Sequence, residues 1–286
     1  MHHINVIKAN GRIESFNPSK LMTSLMNAGT SEEDSKRILE EVLQEVEGQT
    51  LPTNKIYKKA FHHLNEVAHH ASIRYSMRRA LIELGPDGFA FEKFFAEILK
   101  RKGYETMVDQ LIYGKCVPHE LDVVAWKKSG ELVMVESKFH NEFGFKTDLK
   151  VVLYVNARFQ DLSFNEYSYG GMKMKMTSGW LVTNTKFTER AITYALCTNM
   201  NLVGWNYPKE NNLQTMIEES GLRPITNLRT LSGSEIKEFI KAGIVTCNDT
   251  NSFDPILRYL GISTSRIEEI KKEAEKVCSY KLVEME

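Results

Sequence analysis

Hydrophobic positions in the first 85 residues predict a short extended start followed by helices. Residues 4–8 and 12–14 predict two strands around Asn10-Gly11, a pair favoured in tight hairpin turns. Cap residues and glycine stops then delimit four helices. The predicted helices are 18–29 after the cap Asn17, 30–48 from the capping box Thr30-Ser-Glu-Glu33, 53–70 capped by Thr53 or Asn54, and 72–84.

The pattern changes after Gly85-Pro86-Asp87-Gly88, a cluster of turn residues that predicts a linker. Residues 91–102 have apolar side chains at i, i+3, i+4, i+7 and i+8, which predicts a helix with one buried face. The segments that follow are extended at 104–113, 121–126 and 131–137, helical at 148–161, extended at 179–184, helical at 188–199 and extended at 202–205. The order α, β, β, β, α, β, α, β predicts an α/β core.

Two segments beside this core each allow two different roles. In the 148–161 helix the pattern assigns Leu149, Val152, Leu153 and Val155 to the core, and leaves Lys150, Tyr154 and Arg158 exposed or directed at a site. The aromatic, glycine-rich and basic segment 167–176 predicts a loop. Such a loop could follow a nucleic-acid backbone, or it could be an exposed loop that contacts nothing.

Beyond Pro208 the sequence predicts a small helical region, with helices at 212–220, 234–242, 255–260 and 264–278. The turns at Gly243 and Gly261 each resemble half of a helix-hairpin-helix element. The basic residues nearby are Lys237, Lys241, Arg258, Arg266, Lys271 and Lys272. These features indicate either sequence-independent DNA contact or helical packing alone. We therefore expect three domains, at 1–85, 86–208 and 209–286.

Composition limits the possible functions without choosing one. The chain of 286 residues is 42% hydrophobic and has no net charge, so any DNA contact depends on local patches. No apolar run approaches a membrane span and the start lacks a signal-peptide core, which predicts a cytoplasmic protein without membrane contact. The four scattered cysteines form no Cys-x-x-Cys pair, which argues against structural zinc and a disulfide framework and predicts buried or partly buried free thiols.

Residues 119–138 bring two carboxylates and a lysine together. A loop of Lys128, Ser129 and Gly130 would centre a hairpin on Ser129. The resulting opposed pairs are Trp126 with Leu132, Val124 with Met134, and Asp122 with Glu136. Directly opposed like charges destabilise a sheet. Lys138 and a Mg²⁺ or Mn²⁺ ion between Asp122 and Glu136 would compensate them.

Asp122, the hairpin and then Glu136-Ser137-Lys138 resemble the catalytic signature of the PD-(D/E)XK nucleases. The sequence around this signature is similar to those of Mrr-type restriction endonucleases and archaeal Holliday-junction resolvases. The predicted order of helices and strands resembles that of the restriction-endonuclease-like fold. The resemblance implies that Asp122, Glu136 and the Ser137 carbonyl bind the metal, and that Lys138 orients the attacking water or stabilises transition-state charge. It also implies that Glu92 points into the metal site, although acidic residues are favoured in first helical turns for other reasons.

The first 85 residues resemble an ATP-cone, the allosteric nucleotide domain at the front of many ribonucleotide reductases. The matching segments run from Val6 to Leu21, from Pro52 to Tyr57 and from Arg74 to Ala80. The resemblance implies a site for ATP or dATP. The residues it implicates are Lys8 and Lys20 at the phosphates, Glu14 and Asn17 near the base or ribose, Thr53 and Tyr57 lining the pocket, and Arg12 beside them.

This segment shows one difference from the usual ATP-cone sequence and two pairs of histidines that could suggest a metal site. Ala9 stands where the family often has a second basic residue, which affects phosphate affinity or nucleotide choice. The pairs His62-His63 and His69-His70 have no cysteine or carboxylate partners evident in the sequence. Such helical pairs are more often surface or interface residues than metal ligands.

These features together predict a Mg²⁺- or Mn²⁺-dependent endodeoxyribonuclease of the PD-(D/E)XK type, with ATP or dATP as an allosteric effector. Its partners would be DNA, an adenine nucleotide and a second copy of the chain in a homodimer. The alternatives are a non-catalytic, nucleotide-responsive DNA-binding regulator and a structure-specific junction resolvase.

Overall fold

The structure is a computed structural model that describes residues 4–8, 11–86, 88–141 and 144–278. The chain divides into two compact units, Met1–Arg79 and Ala80–Glu286. Four features discussed above lie outside the described residues: Ala9, Asn10 of the predicted turn, Asp87 of the linker, and the side chains of His69 and His70.

The first unit contains a small sheet and the four predicted helices. The helices are α1 (Pro18–Asn27), α2 (Glu32–Glu45), α3 (Thr53–Val67) and α4 (His69–Ile82). The strands β1 (Asn5–Ile7), β2 (Ile13–Ser15) and β3 (Thr50–Pro52) lie in the order β2-β1-β3. β3 pairs in parallel with β1 and was not predicted, because three residues are too few to show a strand period.

Two predicted helix caps of this unit are wrong. Ser31, not Thr30, caps α2, because its hydroxyl accepts the N–H of Asp34 at 3.0 Å. Thr53 is the first residue of α3 and does not cap it. Its hydroxyl donates instead to the Ile7 carbonyl at 3.2 Å, which ties the start of α3 to β1.

The second unit contains a five-stranded sheet in the order β12-β10-β6-β5-β4. Its strands are β4 (Glu105–Tyr113), β5 (Pro118–Trp126), β6 (Leu132–Lys138), β10 (Ser178–Thr183) and β12 (Asn201–Val203). The helices of this core are α5 (Phe89–Arg101), α6 (Leu149–Leu162) and α7 (Glu189–Thr198). This is the predicted order, and the α/β fold class is confirmed. β4, β5 and β6 are antiparallel, whereas β6, β10 and β12 run in parallel.

The β5–β6 hairpin has the predicted register. Trp126 lies opposite Leu132 and Val124 opposite Met134. Gly130 has φ 93°, the left-handed conformation that the three-residue loop requires. The ladder ends at Val123 opposite Val135, one step before Asp122 and Glu136, so these two carboxylates are not a ladder pair.

Val124 and Met134 pack in one core cluster with Val152 and Val155 of α6. Because side chains alternate along a strand, Asp122 and Glu136 lie on the sheet face that α6 covers. α6 differs from the expectation in its buried positions. Leu153 is 43% exposed and Arg158 is 6% exposed. The predicted core position of Leu153 is therefore wrong, and a charged side chain is buried instead.

The segment 167–176 is mostly strand and not the predicted loop. β8 (Glu166–Tyr169) and β9 (Met172–Lys175) form a hairpin around Gly170 and Gly171, which both have positive φ. A Cβ at Gly170 would lie 2.8 Å from Nε1 of Trp126, so only glycine fits there. The smallest sheet pairs β7 (Lys146–Thr147) with β11 (Lys186–Phe187).

The C-terminal helices lie near the predicted positions. They are α8 (Leu213–Ser220), α9 (Gly233–Lys241), α10 (Phe253–Tyr259) and α11 (Thr264–Cys278). Cys247 is buried and Cys278 is half-buried, which agrees with the predicted burial, but Cys116 and Cys197 are exposed. Among the described residues, none of the helices is both long and apolar enough to cross a membrane.

Candidate active site

The two hairpin carboxylates each have a different partner. Oδ2 of Asp122 accepts the backbone N–H of Ser137 at 2.5 Å. Oε2 of Glu136 accepts a hydrogen bond from Nη1 of Arg158, and the two groups form an ion pair. The side chain of Arg158 is only 7% exposed and that of Glu136 is 19% exposed, so this pair is largely desolvated. A backbone amide and a guanidinium thus compensate charges that we expected Lys138 and a metal to offset.

Glu136 remains difficult to ionise despite this partner. Its pKa is raised to about 7, first by burial and then by the neighbouring charge of Asp122. Arg158 and Lys138 act in the opposite direction. Burial also raises the pKa of Asp122, against the effect of the Ser137 N–H and of Arg158. Burial is thus the main reason that neither carboxyl group ionises freely.

Glu92 belongs to the same electrostatic environment. It lies half-buried in the first turn of α5, where its backbone N–H donates to the Gly88 carbonyl. Its pKa is raised to about 7, mainly by burial and then by the charges of Asp122, Asp109 and Glu136 in that order. We call Glu92, Asp109, Asp122 and Glu136 the carboxylate cluster. The sequence predicted three of these four groups.

Lys138 ends β6 with an exposed side chain, and buried polar residues at the end of β10 hold the backbone of Lys138 and His140. The Thr183 hydroxyl donates to the Lys138 carbonyl at 2.7 Å. Asn184 holds His140 on both sides, accepting its N–H at 2.9 Å and donating to its carbonyl at 2.8 Å. Thr183 and Asn184 therefore fix the path of the strand that presents Lys138. The sequence did not indicate this role of Thr183 and Asn184.

Sequence reasoning missed the roles of two residues at the site. Arg158 was assigned an exposed or site-directed position, and its burial against Glu136 depends on a contact across 22 residues. Asp109 was not singled out. It has φ 52° and lies level with Asp122, between the pairs Val108–Val123 and Gln110–Leu121. A positive φ is uncommon for a non-glycine residue inside a strand and is a form of strain that clusters at functional sites.

Comparison with known families matches three consecutive segments. Residues 4–79 match the ATP cone domain, residues 85–206 match a restriction endonuclease domain (Mrr_cat), and residues 224–278 match the C-terminal domain of AF1548-like proteins. A protein of Archaeoglobus fulgidus described as uncharacterized is 39% identical over 183 residues, 64% of this chain and 98% of that protein. The crystal structure of a protein of unknown function, AF1548, is 37% identical with a TM-score of 0.55, covering 67% of this chain and 98% of that one. The chain belongs to the AF1548-like family.

In this AF1548-like chain an ATP-cone precedes a restriction endonuclease domain, so both predicted resemblances are confirmed. A repair endonuclease from Pyrococcus abyssi was also found, with 18% identity and a TM-score of 0.30 over 41% of this chain and 46% of that one.

The residues at the cluster fit a hard divalent cation. Asp122, Glu136 and the Ser137 carbonyl offer only oxygen donors, which suit Mg²⁺ or Mn²⁺. Burial and neighbouring carboxylates raise the pKa values of Glu92 and Glu136, and a bound cation would favour their ionised forms. In the part of the chain that the structure describes, no three His, Cys, Asp or Glu side chains are already arranged as a ligand set. Binding would thus require local rearrangement, including of the Glu136–Arg158 pair.

The residues implicated in nucleotide binding lie on β1, β2 and the starts of α1 and α3. Lys8 forms an ion pair with Glu14 at 3.6 Å, and Thr53 is tied to Ile7 next to Lys8. Asn17 caps α1, and its Oδ1 accepts the backbone N–H of Lys20 at 3.3 Å. These contacts bring Lys8 close to Glu14 and Thr53, whereas Asn17 and Lys20 lie at the start of α1.

Tyr57 and Arg12 complete the set of predicted nucleotide residues. The Tyr57 ring stacks on Tyr75 with centroids 4.8 Å apart, and the Arg79 guanidinium lies 5.5 Å from its centre. The Tyr57 hydroxyl donates to the Tyr75 carbonyl at 3.3 Å. The Arg12 carbonyl accepts the N–H of Lys8 at 2.8 Å, which closes the β1–β2 turn.

The histidine pair on α3 has carboxylate partners that the sequence did not reveal. His62 lies 3.4 Å from Glu66, and His63 lies 3.0 Å from Glu41 and 2.7 Å from Glu45. Glu41 and Glu45 come from α2, so His63 links α2 to α3. A structural role in helix packing accounts for this cluster.

Glu92→Gln is expected to stabilise the protein at pH 8 and not at pH 4.5. The pKa of Glu92 lies above its ordinary 4.5, at about 7, so ionisation costs stability progressively as the pH rises through this window. Because the side chain is half-exposed, the gain is expected to be only about 1 kcal/mol, or a melting temperature about 2–4 °C higher. Thermal unfolding at both pH values measures it.

Glu97→Gln is the control for this experiment, because Glu97 lies on the same helix and pairs only with Lys100 at 2.6 Å among its described contacts. Its melting temperature should change little at either pH. A Glu92→Gln protein that is no more stable than the wild type at pH 8 would contradict the placement of Glu92 in the carboxylate cluster.

Proposed function

We propose that this protein is a Mg²⁺- or Mn²⁺-dependent DNA endonuclease of the PD-(D/E)XK type, and that ATP or dATP regulates it through the ATP-cone. The observation that carries the proposal is the carboxylate cluster with Lys138 at the end of β6, within a domain of the restriction endonuclease family. Asp122 and Glu136 lie on one face of the sheet, and the pKa of each is raised.

The proposed chemistry follows from the charge of the substrate. A phosphodiester is anionic and repels nucleophiles, and a cation held by Asp122, Glu136 and the Ser137 carbonyl would neutralise it and lower the pKa of a water. Lys138 would orient the attacking water or stabilise the charge that develops on the phosphate oxygens. Glu92 would take part as a further carboxylate, and Thr183 keeps the Lys138 backbone in place.

The basic residues of the C-terminal region are candidates for further DNA contact. Several of its basic residues are engaged within the region: Lys241 with Glu238, Arg266 with Glu235, and Lys271 with Asp254. Their charges are therefore partly compensated before any DNA is bound. We keep the proposed division at 1–85, 86–208 and 209–286, and assign the last part a supporting role in DNA binding.

We also propose a homodimer, because cutting both strands of a duplex requires two sites. The whole assignment is tested by incubating plasmid, modified and branched DNA with Mg²⁺ or Mn²⁺, with and without ATP or dATP. Metal-dependent cutting supports the endonuclease. Cutting confined to junctions would instead identify a resolvase, and DNA binding without any cutting would identify a non-catalytic regulator.

Lys20→Ala is expected to weaken ATP binding about 10- to 100-fold, because charge-assisted contacts to phosphate contribute roughly 1.5–3 kcal/mol each. Lys20 lies in the first turn of α1, next to the cap Asn17. Isothermal titration of the purified protein with ATP or dATP measures the affinity without depending on nuclease activity. Lys36→Ala is the control, since Lys36 is paired with Glu32 on the surface of α2. Equal affinities in the two variants would remove Lys20 from the nucleotide site.

A further inference from the structure

Two cysteines of the C-terminal region lie in direct contact. The Sγ atoms of Cys247 and Cys278 are 2.7 Å apart. This is well inside the roughly 3.5–4.0 Å of an optimal contact between carbon atoms, which are smaller than sulfur. It is within about 0.7 Å of the length of a disulfide bond. The two sulfurs are therefore placed as bonding partners and not as ordinary packed neighbours.

The backbone around Cys247 is held firmly. Its N–H donates to the Arg223 carbonyl at 2.9 Å, and the N–H of Ile225 donates to the Val245 carbonyl at 2.9 Å. The side chain of Asn248 accepts the N–H of Arg223 at 2.9 Å. Cys247 is thus fixed against the segment that enters the C-terminal region.

The other partner is held by α11. The helix buries Ile267, Ile270 and Ala274 on one face, and Cys278 is its last residue. Glu273 accepts the backbone N–H groups of Arg229 and Thr230, each at 2.9 Å, which fixes the rotation of the helix. Both sulfurs are consequently positioned by structure that does not depend on the contact between them.

We propose that Cys247 and Cys278 form a disulfide bond. A small-molecule disulfide such as oxidised glutathione is the oxidant. The half-buried Cys278 thiolate attacks it, releasing one small thiolate and leaving a mixed disulfide. The Cys247 sulfur then displaces the second small thiolate, and the two protons lost by the cysteines convert the two released thiolates into thiols. One disulfide is reduced and one is formed, so atoms and electrons balance.

The bond would join residues 31 positions apart and enclose α10 and α11 in a covalent ring. Both cysteines lie in the segment that matches the AF1548-like C-terminal domain. By tying the end of α11 to the segment beside Arg223, the disulfide would stabilise the packing of this whole region. This inference is independent of the nuclease proposal.

Thiol counting on the full chain tests the disulfide directly. The protein is incubated with oxidised glutathione or with dithiothreitol, denatured, alkylated and weighed by mass spectrometry. We expect four alkylated cysteines after reduction. After oxidation Cys247 and Cys278 should carry neither the alkyl group nor glutathione, whereas the exposed Cys116 and Cys197 should carry one or the other and serve as internal references. Peptide mapping should recover Cys247 linked to Cys278. Four alkylated cysteines after oxidation, or a link that involves Cys116 or Cys197, would overturn the proposal.

A thermal measurement adds a second readout. Closing a loop of this length is expected to raise the melting temperature by roughly 5–10 °C in the oxidised protein. Cys278→Ser should show no difference between oxidised and reduced samples, and so should Cys247→Ala. Peptide mapping of the wild type decides the question by itself if either variant folds poorly. An oxidised wild type that melts at the temperature of the reduced one would contradict the stabilising role.

Discussion

Lys138→Ala is expected to lower metal-dependent DNA cleavage by at least about 100-fold while leaving the protein folded, because positioned groups that assist proton transfer contribute roughly 10²–10⁴-fold. The Lys138 side chain is exposed, and its backbone is held by Thr183 through the carbonyl, which the substitution does not change. The measurement is the initial rate of plasmid nicking with Mg²⁺ or Mn²⁺. Lys128→Ala is the matched control, since Lys128 is an exposed lysine in the loop of the same hairpin.

Glu136→Ala separates metal binding from the later steps of the same reaction. Removing this carboxylate should abolish cleavage and also weaken Mn²⁺ binding measured by isothermal titration, whereas Lys138→Ala should retain Mn²⁺ binding. Lys138→Ala protein that cuts as fast as Lys128→Ala would exclude Lys138 from catalysis. Wild-type protein that binds DNA but cuts no plasmid, modified or branched substrate would leave the nucleotide-responsive regulator as the better assignment.

The hairpin at the centre of the site was predictable because loop length determines register. Three loop residues ending in Gly130 place Trp126 opposite Leu132, and every later pair follows from that one. The same counting brought Asp122 and Glu136 to neighbouring strand positions. It could not show that the ladder stops at Val123, because the end of a ladder depends on which partners the next groups find.

The rest of the site depends on contacts that no local pattern encodes. Arg158 follows Val155 by three positions on α6, so it lies at the edge of the apolar stripe, where either burial or exposure is possible. Only its pairing with Glu136 makes burial favourable. The same limit applies to Asp109, whose positive φ is a property of the folded strand, and to Cys247 and Cys278, which meet only after α10 and α11 have packed.

Arg158→Met is expected to be the most destabilising of these substitutions. It removes the guanidinium that pairs with Glu136 and leaves a largely buried carboxylate without its counter-ion. Breaking a buried pair in this way typically costs about 3–5 kcal/mol, which corresponds to a melting temperature lower by roughly 6–15 °C. Methionine retains much of the side-chain volume, so the loss reports mainly on charge.

The pH dependence identifies Glu136 as the cause. Arg158 lowers the pKa of Glu136, so its removal moves that pKa further above the ordinary 4.5. An acid with a raised pKa costs stability as the pH rises through the interval between its unfolded and folded pKa values. The loss of folding stability caused by Arg158→Met should therefore be larger at pH 8 than at pH 5.

The double variant Arg158→Met with Glu136→Gln completes the test. Neutralising Glu136 removes the unpaired charge, so the double variant should regain most of the lost stability at pH 8, a coupling that a double-mutant cycle measures directly. If Arg158 instead stabilises α6 through its contact with Tyr154, whose ring centre lies 5.3 Å away, the second substitution would restore nothing. A loss of stability that is equal at pH 5 and pH 8 would likewise indicate that Arg158 acts through Tyr154 and not through Glu136.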